Sequence, residues 1–379
     1  MIYLDNAATT FPKPQSVIRE VNAALTRYGA NPGRSGHDMA MKAGSVIYDC
    51  RVKLSELFNA GNEENVVFTL NCTHALNTVL KGMLKPGDHV VISDLEHNSI
   101  TRPLKALEKL GVTYTQATVY ENDNDKTVRS FREAINGDTR LIACTHASNV
   151  WGFRLPIERL AALAHEYGVE ILVDAAQSAG VVPIDFADAG IDYLCMPGHK
   201  GLYGPTGTGV MIAKNPDRLT PLMQGGTGSS SISNEHPDFM PDKFECGTAN
   251  VIGIAGLLRG VEFVTARGCD RIFSHEMKLI RILYEGLSKN KKVKLYTQYP
   301  NDKCYVPLLS FNVKDKDSET VARHLNKNFG IAVRAGLHCA PSAHMKMGTQ
   351  DAGAVRVSPS VFTSEYEMQR FLNAINKIG

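Results

Sequence analysis

Two residues open the chemistry of this chain: Lys200, in Gly198-His-Lys200, and Asp174, in Asp174-Ala-Ala-Gln177. Each follows a short apolar run, Asp192–Met196 and Val169–Val173, that reads as a buried strand. A lysine amine forms a Schiff base with an aldehyde. A carboxylate can keep a pyridine nitrogen protonated, which makes the ring an electron sink. A lysine and an aspartate delivered together therefore point to pyridoxal 5′-phosphate. Its phosphate needs backbone N–H groups at a helix N-terminus, and Thr73-His74, after the run Val66–Thr69, supply that position. A flat ring also takes an aromatic cover, which His97, after His89–Ser93, can give. The run Leu141–Thr145 brings His146-Ala-Ser-Asn149 to the same edge.

The elements that must position these residues follow from the periodicity. Strands are expected over the five runs above and over Val112–Ala117. Helices are expected over Thr73–Met83, Ser99–Leu110, Val128–Ile135 and Ile157–Tyr167. Such alternation predicts an α/β fold with a mostly parallel sheet flanked by helices. Ligands gather beyond the carboxyl ends of such strands, where the residues above fall. After about residue 250 the pattern shifts to long helices and fewer strands. The expected division is a large cofactor-binding domain over 14–262 and a smaller α+β C-terminal domain over 263–379, with segment 1–13 packing nearby.

Composition narrows the function classes. Of 379 residues, 43% are hydrophobic and 21% charged, as in a globular chain with a sizeable core. Lys+Arg 41 against Asp+Glu 39 gives +2, which offers no electrostatic case for nucleic acid or a membrane surface. No uncharged apolar run approaches the ~18 residues of a membrane-spanning helix. The start, MIYLDNAATT, lacks the basic and apolar regions of a signal peptide. Eight cysteines occur without a CxxC pair, so a zinc finger or thioredoxin motif is not expected. These features predict a cytoplasmic protein whose cysteines are mostly small buried hydrophobes. Gly204-Pro-Thr-Gly-Thr-Gly209 lacks the ending of a phosphate-binding P-loop, and His338, Cys339 and His344 are too sparse to argue for a metal.

The motifs YLDNAATT (3–10), VDAAQ (173–177), GHK (198–200), FECGTAN (244–250) and RAGLHC (334–339), in this order, carry a resemblance. The chain resembles the class V aminotransferase family of pyridoxal-phosphate fold type I enzymes, close to the cysteine desulfurases and selenocysteine lyases and to their SufS-like branch. The resemblance implies that Lys200 is the Schiff-base lysine, Asp174 the partner of the ring nitrogen, Gln177 a contact of the ring hydroxyl and His97 the stacking ring. It implies that Thr73, His74 and His199 bind the phosphate and that Thr248 reaches it from the other subunit of a homodimer. Asn149 is implied near the ring hydroxyl or the substrate carboxylate, Arg356 as the clamp of that carboxylate, and Cys339 as the nucleophile that takes sulfur as a persulfide. Arg334 and His338 beside Cys339 are expected to lower its pKa. The implied reaction converts cysteine to alanine and passes sulfur to an unidentified protein or small-molecule acceptor. Alternatives are a selenocysteine lyase or selenium-delivery enzyme, and a pyridoxal-phosphate lyase or aminotransferase that forms no persulfide. A non-catalytic scaffold would require loss of the lysine or the aspartate, and both are present. Ala335 departs from the Arg-Thr-Gly that often precedes the His-Cys pair.

Overall fold

A computed structural model describes residues 1–32, 35–230 and 232–378. At its centre is a seven-stranded sheet in the order Val66–Thr69, Gly209–Ala213, Tyr193–Pro197, Glu170–Asp174, Thr139–Thr145, His89–Ser93, Thr113–Ala117. Gly209–Ala213 runs antiparallel to both neighbours; the other pairings are parallel. Every residue of Glu170–Asp174 and Tyr193–Pro197 is buried, which is why these strands read as unbroken apolar runs. Their side chains alternate between two cores. Ile171, Val173 and Leu194 meet one, which also takes Leu54, Phe58, Leu160 and Leu257 from helices Asp38–Phe58, Ile157–Glu166 and Val251–Arg267. Leu172, Tyr193 and Cys195 meet the other, with Leu76 and Leu104 of helices Cys72–Met83 and Asn98–Leu107. Helices thus cover both faces, as the alternation predicts.

A second sheet, wholly antiparallel, has the order Arg334–Gly336, Ala354–Val357, Leu309–Val313, Val293–Leu295. Helices Cys269–Ser288, Ser318–Phe329 and Glu365–Ile378 pack on it through Leu283, Leu325 and Phe371. The amino-terminal segment joins this part of the chain. Ile2–Tyr3 pairs in parallel with Ile331–Ala332, and Asp5 bridges to Ser358. The same segment also grips the large sheet, since Thr10 Oγ1 donates to the Lys200 carbonyl at 3.1 Å.

Several elements are absent from the sequence reading, among them two long helices and two central strands. Helices Gln15–Ala23 and Asp38–Phe58 leave Ile18, Met39, Met41 and Tyr48 exposed, which blurs the apolar stripe that marks a helix. Strand Gly209–Ala213 follows a glycine-rich loop directly, and Ala354–Val357 lies inside the arginine motif. No described helix is long and apolar enough to cross a membrane.

Candidate active site

The strand register sets the site. Thr145, Asp174 and Cys195 stand opposite one another on adjacent strands; the first two strands end there and the third runs two residues further, to Pro197. The helix Cys72–Met83 starts against this edge. Gly209 permits that approach, because a Cβ there would lie 2.4 Å from the carbonyl carbon of Asn71. Asn71 caps the helix by accepting from the His74 N–H at 2.9 Å. A cavity of about 190 Å³ lies beyond the strand ends, lined by Asn71, Cys72, Thr73, His97, Asn149 and Asp174, and also by Gln177, His199 and Lys200.

Asp174, 3% exposed, accepts at Oδ1 from the Ala176 N–H at 2.9 Å and the Cys72 thiol at 3.5 Å. Burial pushes the Cys72 thiol well above its ordinary pKa, so it stays protonated and donates. Among the described residues, Oδ2 of Asp174 makes no hydrogen bond and Lys200 forms no ion pair. Burial pulls the Lys200 amine down to about 8, against the opposing pull of Asp174 and Cys72. A half-buried lysine and a buried aspartate thus share one cavity, and among the described residues their side chains do not pair with each other.

His97 is the N-cap of helix Asn98–Leu107. Its Nδ1 accepts from the Ser99 N–H at 3.1 Å and lies 2.8 Å from Ser99 Oγ, which in turn lies 2.8 Å from Thr73 Oγ1. With Nδ1 an acceptor, the ring proton sits on Nε2. Burial lowers the pKa of the ring, which keeps it neutral. His199 also lines the cavity with a buried Nδ1 that has no partner; burial, then Lys200 and Lys13, pull it to about 4. Lys13 holds this loop by donating to the His199 carbonyl at 2.8 Å. Gln177 donates to the Ala7 carbonyl at 3.1 Å, which ties the cavity wall to the amino-terminal segment.

Four expected site residues, His74, Thr248, Arg356 and Cys339, do not line this cavity. His74 and Thr248 line a neighbouring hollow with Phe68 and Glu245, and His74 Nδ1 accepts from the Leu70 N–H at 3.2 Å. Arg356, 1% exposed, reaches the cavity wall through Asn149, whose carbonyl accepts from its Nη1 at 2.8 Å. Its Nη2 donates to Asp5 Oδ1 at 2.9 Å, while its Nε is buried without a partner. Among the described residues the Nε–H is therefore an unpaired donor, enclosed by the protein.

Cys339 is exposed, alone among the eight cysteines; four others are buried and three are half-buried. It lies on a second concavity that shares Thr73, His97 and Ser99 with the first. The expectation that His338 lowers the pKa of this thiol through its charge is corrected: burial drives His338 down to about 2, and the ring is neutral. The sequence reading passed over Cys72, Ser99 and Thr145 as cavity residues. It also passed over Glu96, buried behind His97, whose Oε1 accepts from the Thr145 N–H at 2.9 Å and from the Ser93 hydroxyl. Burial raises Glu96 to about 8, so a second carboxylate near Asp174 is held neutral.

Comparison with known proteins decides the family. The model of the class V aminotransferase family matches residues 2–371. This chain belongs to that family. A probable cysteine desulfurase of Methanothermobacter thermautotrophicus is 34% identical over 100% of this chain and 94% of its own length. A cysteine desulfurase of Haloferax volcanii is 30% identical over 99% of this chain and 89% of its own. Among solved structures, the apo cysteine desulfurase of Thermococcus onnurineus superposes with a TM-score of 0.91 at 32% identity, covering 100% of this chain and 94% of that one. The cysteine desulfurase CsdA of Escherichia coli gives 0.87 at 27% identity, covering 99% and 94%.

Class V aminotransferases of this kind are pyridoxal-phosphate enzymes, and the cavity fits the cofactor. The helix start at Cys72 and Thr73 offers N–H groups to a phosphate, beside the unpartnered Nδ1 of His199. Asp174 Oδ2 is open to a ring nitrogen, and a partly deprotonated Lys200 is suited to an aldehyde.

Proposed function

We propose that this class V enzyme is a cysteine desulfurase in which Cys339 takes the sulfur. The observation that carries the reading is that the one exposed cysteine lines a concavity sharing Thr73, His97 and Ser99 with the cavity that holds Lys200. Thr73, His199 and the helix start would hold the cofactor phosphate, Asp174 the ring nitrogen, Gln177 and Asn149 the ring hydroxyl, and His97 the ring face. Pyridoxal phosphate, when bound, supplies an aldehyde and a ring that takes up an electron pair. Lys200 moves the proton at the substrate Cα. Arg356 orients the substrate carboxylate. The Cys339 thiolate attacks the substrate sulfur. An S–S bond forms as the carbon–sulfur bond breaks, the bonding pair stays with carbon, and that carbon takes a proton to become the methyl group of alanine. Cys339 is left as a persulfide for an acceptor.

Thr248, away from the Lys200 cavity of its own chain, supports a homodimer in which it reaches the cofactor phosphate of the partner. We read the chain as two units over 14–262 and 263–379, with segment 1–13 packing nearby; the separate sheets of the two parts support that reading. Eight unpaired cysteines suit a reducing, cytoplasmic setting.

Cys339→Ser is expected to keep the cofactor absorbance and lose alanine formation from cysteine down to background, since a serine hydroxyl is a weak nucleophile at neutral pH. Wild-type enzyme mixed with cysteine should gain one sulfur on the peptide containing Cys339 in a mass spectrum, and the serine variant none. Undiminished alanine formation by Cys339→Ser would refute the assignment.

A further inference from the structure

We propose that His344, together with Thr349, is a positioning residue for sulfur transfer: the pair fixes the His338 ring and with it the turn that presents Cys339. The proposal rests on the reading of Cys339 as the sulfur-accepting nucleophile. His338 and Cys339 are consecutive non-glycine residues at φ 50° and 56°. This left-handed region is unfavourable for L side chains and persists only where the surroundings over-determine it. Two backbone anchors do part of this work: Asn149 Nδ2 donates to the His338 carbonyl at 2.7 Å, and the Asn98 N–H donates to the Cys339 carbonyl at 2.8 Å.

The third anchor is a chain of side chains. His338 Nδ1 lies 3.3 Å from His344 Nε2, with the rings 8° from parallel, and His344 Nδ1 lies 2.8 Å from Thr349 Oγ1. The Thr349 hydroxyl donates onward to the His344 carbonyl at 3.3 Å. With the hydroxyl proton on that carbonyl, the Thr349 oxygen accepts from His344 Nδ1–H, and His344 Nε2 is left bare to accept from His338 Nδ1–H; with the other tautomers the same contacts run in the opposite direction. All three residues are at most 3% exposed, so water does not compete for these bonds. Burial lowers both rings, to about 2 and about 4, which keeps them in the neutral form that the chain requires.

Trp151 locks the assembly. Its Nε1 donates to the Ala343 carbonyl at 2.8 Å, and its ring centroid is 5.4 Å from that of His344. Trp151 and Asn149 belong to one loop, so the loop that lines the Lys200 cavity also clasps the cysteine turn. Nothing in this chain touches the Lys200 amine, so its loss should spare proton transfer at Cα.

The test compares His344→Met with His344→Gln, two side chains of similar size of which only glutamine can hydrogen-bond to His338. The holoenzyme is read in two ways: deuterium exchange at Cα of L-alanine, which needs no thiol, and first-turnover persulfide formation on Cys339 from cysteine. His344→Met is expected to exchange at the wild-type rate and to form persulfide about a hundredfold more slowly, the scale of an ångström-sized misplacement. His344→Gln should recover most of that loss. Thr349→Val, which breaks only the far link, should move in the same direction by less and serves if His344→Met does not fold. Equal persulfide rates for the Met and Gln variants, or a wild-type rate in both, would overturn the positioning role. Cys339→Ser run in parallel separates the two claims: wild-type alanine formation there removes the nucleophile reading and this proposal with it. A dead Cys339→Ser beside an unimpaired His344→Met removes only the positioning.

Discussion

Lys200→Ala should abolish turnover of cysteine. The half-buried Lys200 sits in the loop three residues past strand Tyr193–Pro197, and desolvation brings its pKa to about 8, so near neutral pH it can both give and take a proton. No other lysine lines the cavity to replace it. Removal of a general base alone costs about a hundred- to ten-thousandfold, and the covalent link to an aldehyde is lost as well. Alanine release and α-proton exchange should therefore fall together. The cofactor can remain bound without the lysine, because Asp174 and the helix start at Cys72 are untouched. Undiminished alanine production by the variant would remove Lys200 from its assigned role.

Asp174→Ala should be nearly as damaging, for a different reason. The carboxylate is buried, and its Oδ2 is the negative atom available to a protonated ring. Leaving a buried charge without its partner costs about 3–5 kcal/mol, or roughly a hundred- to several-thousandfold in rate if that stabilisation belongs to the rate-limiting step. Glu96 cannot take over, since it is held neutral behind His97 and its Oε1 is committed to Thr145 and Ser93. The variant should show an altered visible spectrum and a low rate. A normal spectrum with a normal rate would assign the ring nitrogen to another carboxylate.

The two residues behind these predictions were legible in the sequence because each ends an apolar run, and a run buried on both faces leaves few alternatives to a central strand. Strands Val66–Thr69 and His89–Ser93 have the bounds that their composition implies. Less of the surrounding polar structure could be read. The link from Cys72 to Asp174 spans 102 positions, and the link from Glu96 to Thr145 spans 49. Both depend on strand order and register, which local pattern does not encode. An N-cap at His97 points to Ser99 as its partner, but the contact of Ser99 with Thr73 joins two helices whose starts meet only in the folded sheet. His344 lies in a short helix between two loops, where a histidine reads as a solvated residue, yet it is fully buried. The exposure of Cys339 was likewise beyond sequence, because it follows from a left-handed turn held by Asn98 and Asn149.

The most direct test of the account is product analysis of the purified holoenzyme with L-cysteine and a reductant as sulfur acceptor. Transfer of sulfur to Cys339 leaves the electron pair on carbon, so the organic product must be alanine, formed in equal amount with sulfide. A lyase that expels the sulfur by elimination instead leaves an unsaturated product that hydrolyses to pyruvate and ammonia. Alanine and sulfide in equal yield, without pyruvate, is the predicted result. Pyruvate and ammonia as the main products would contradict it.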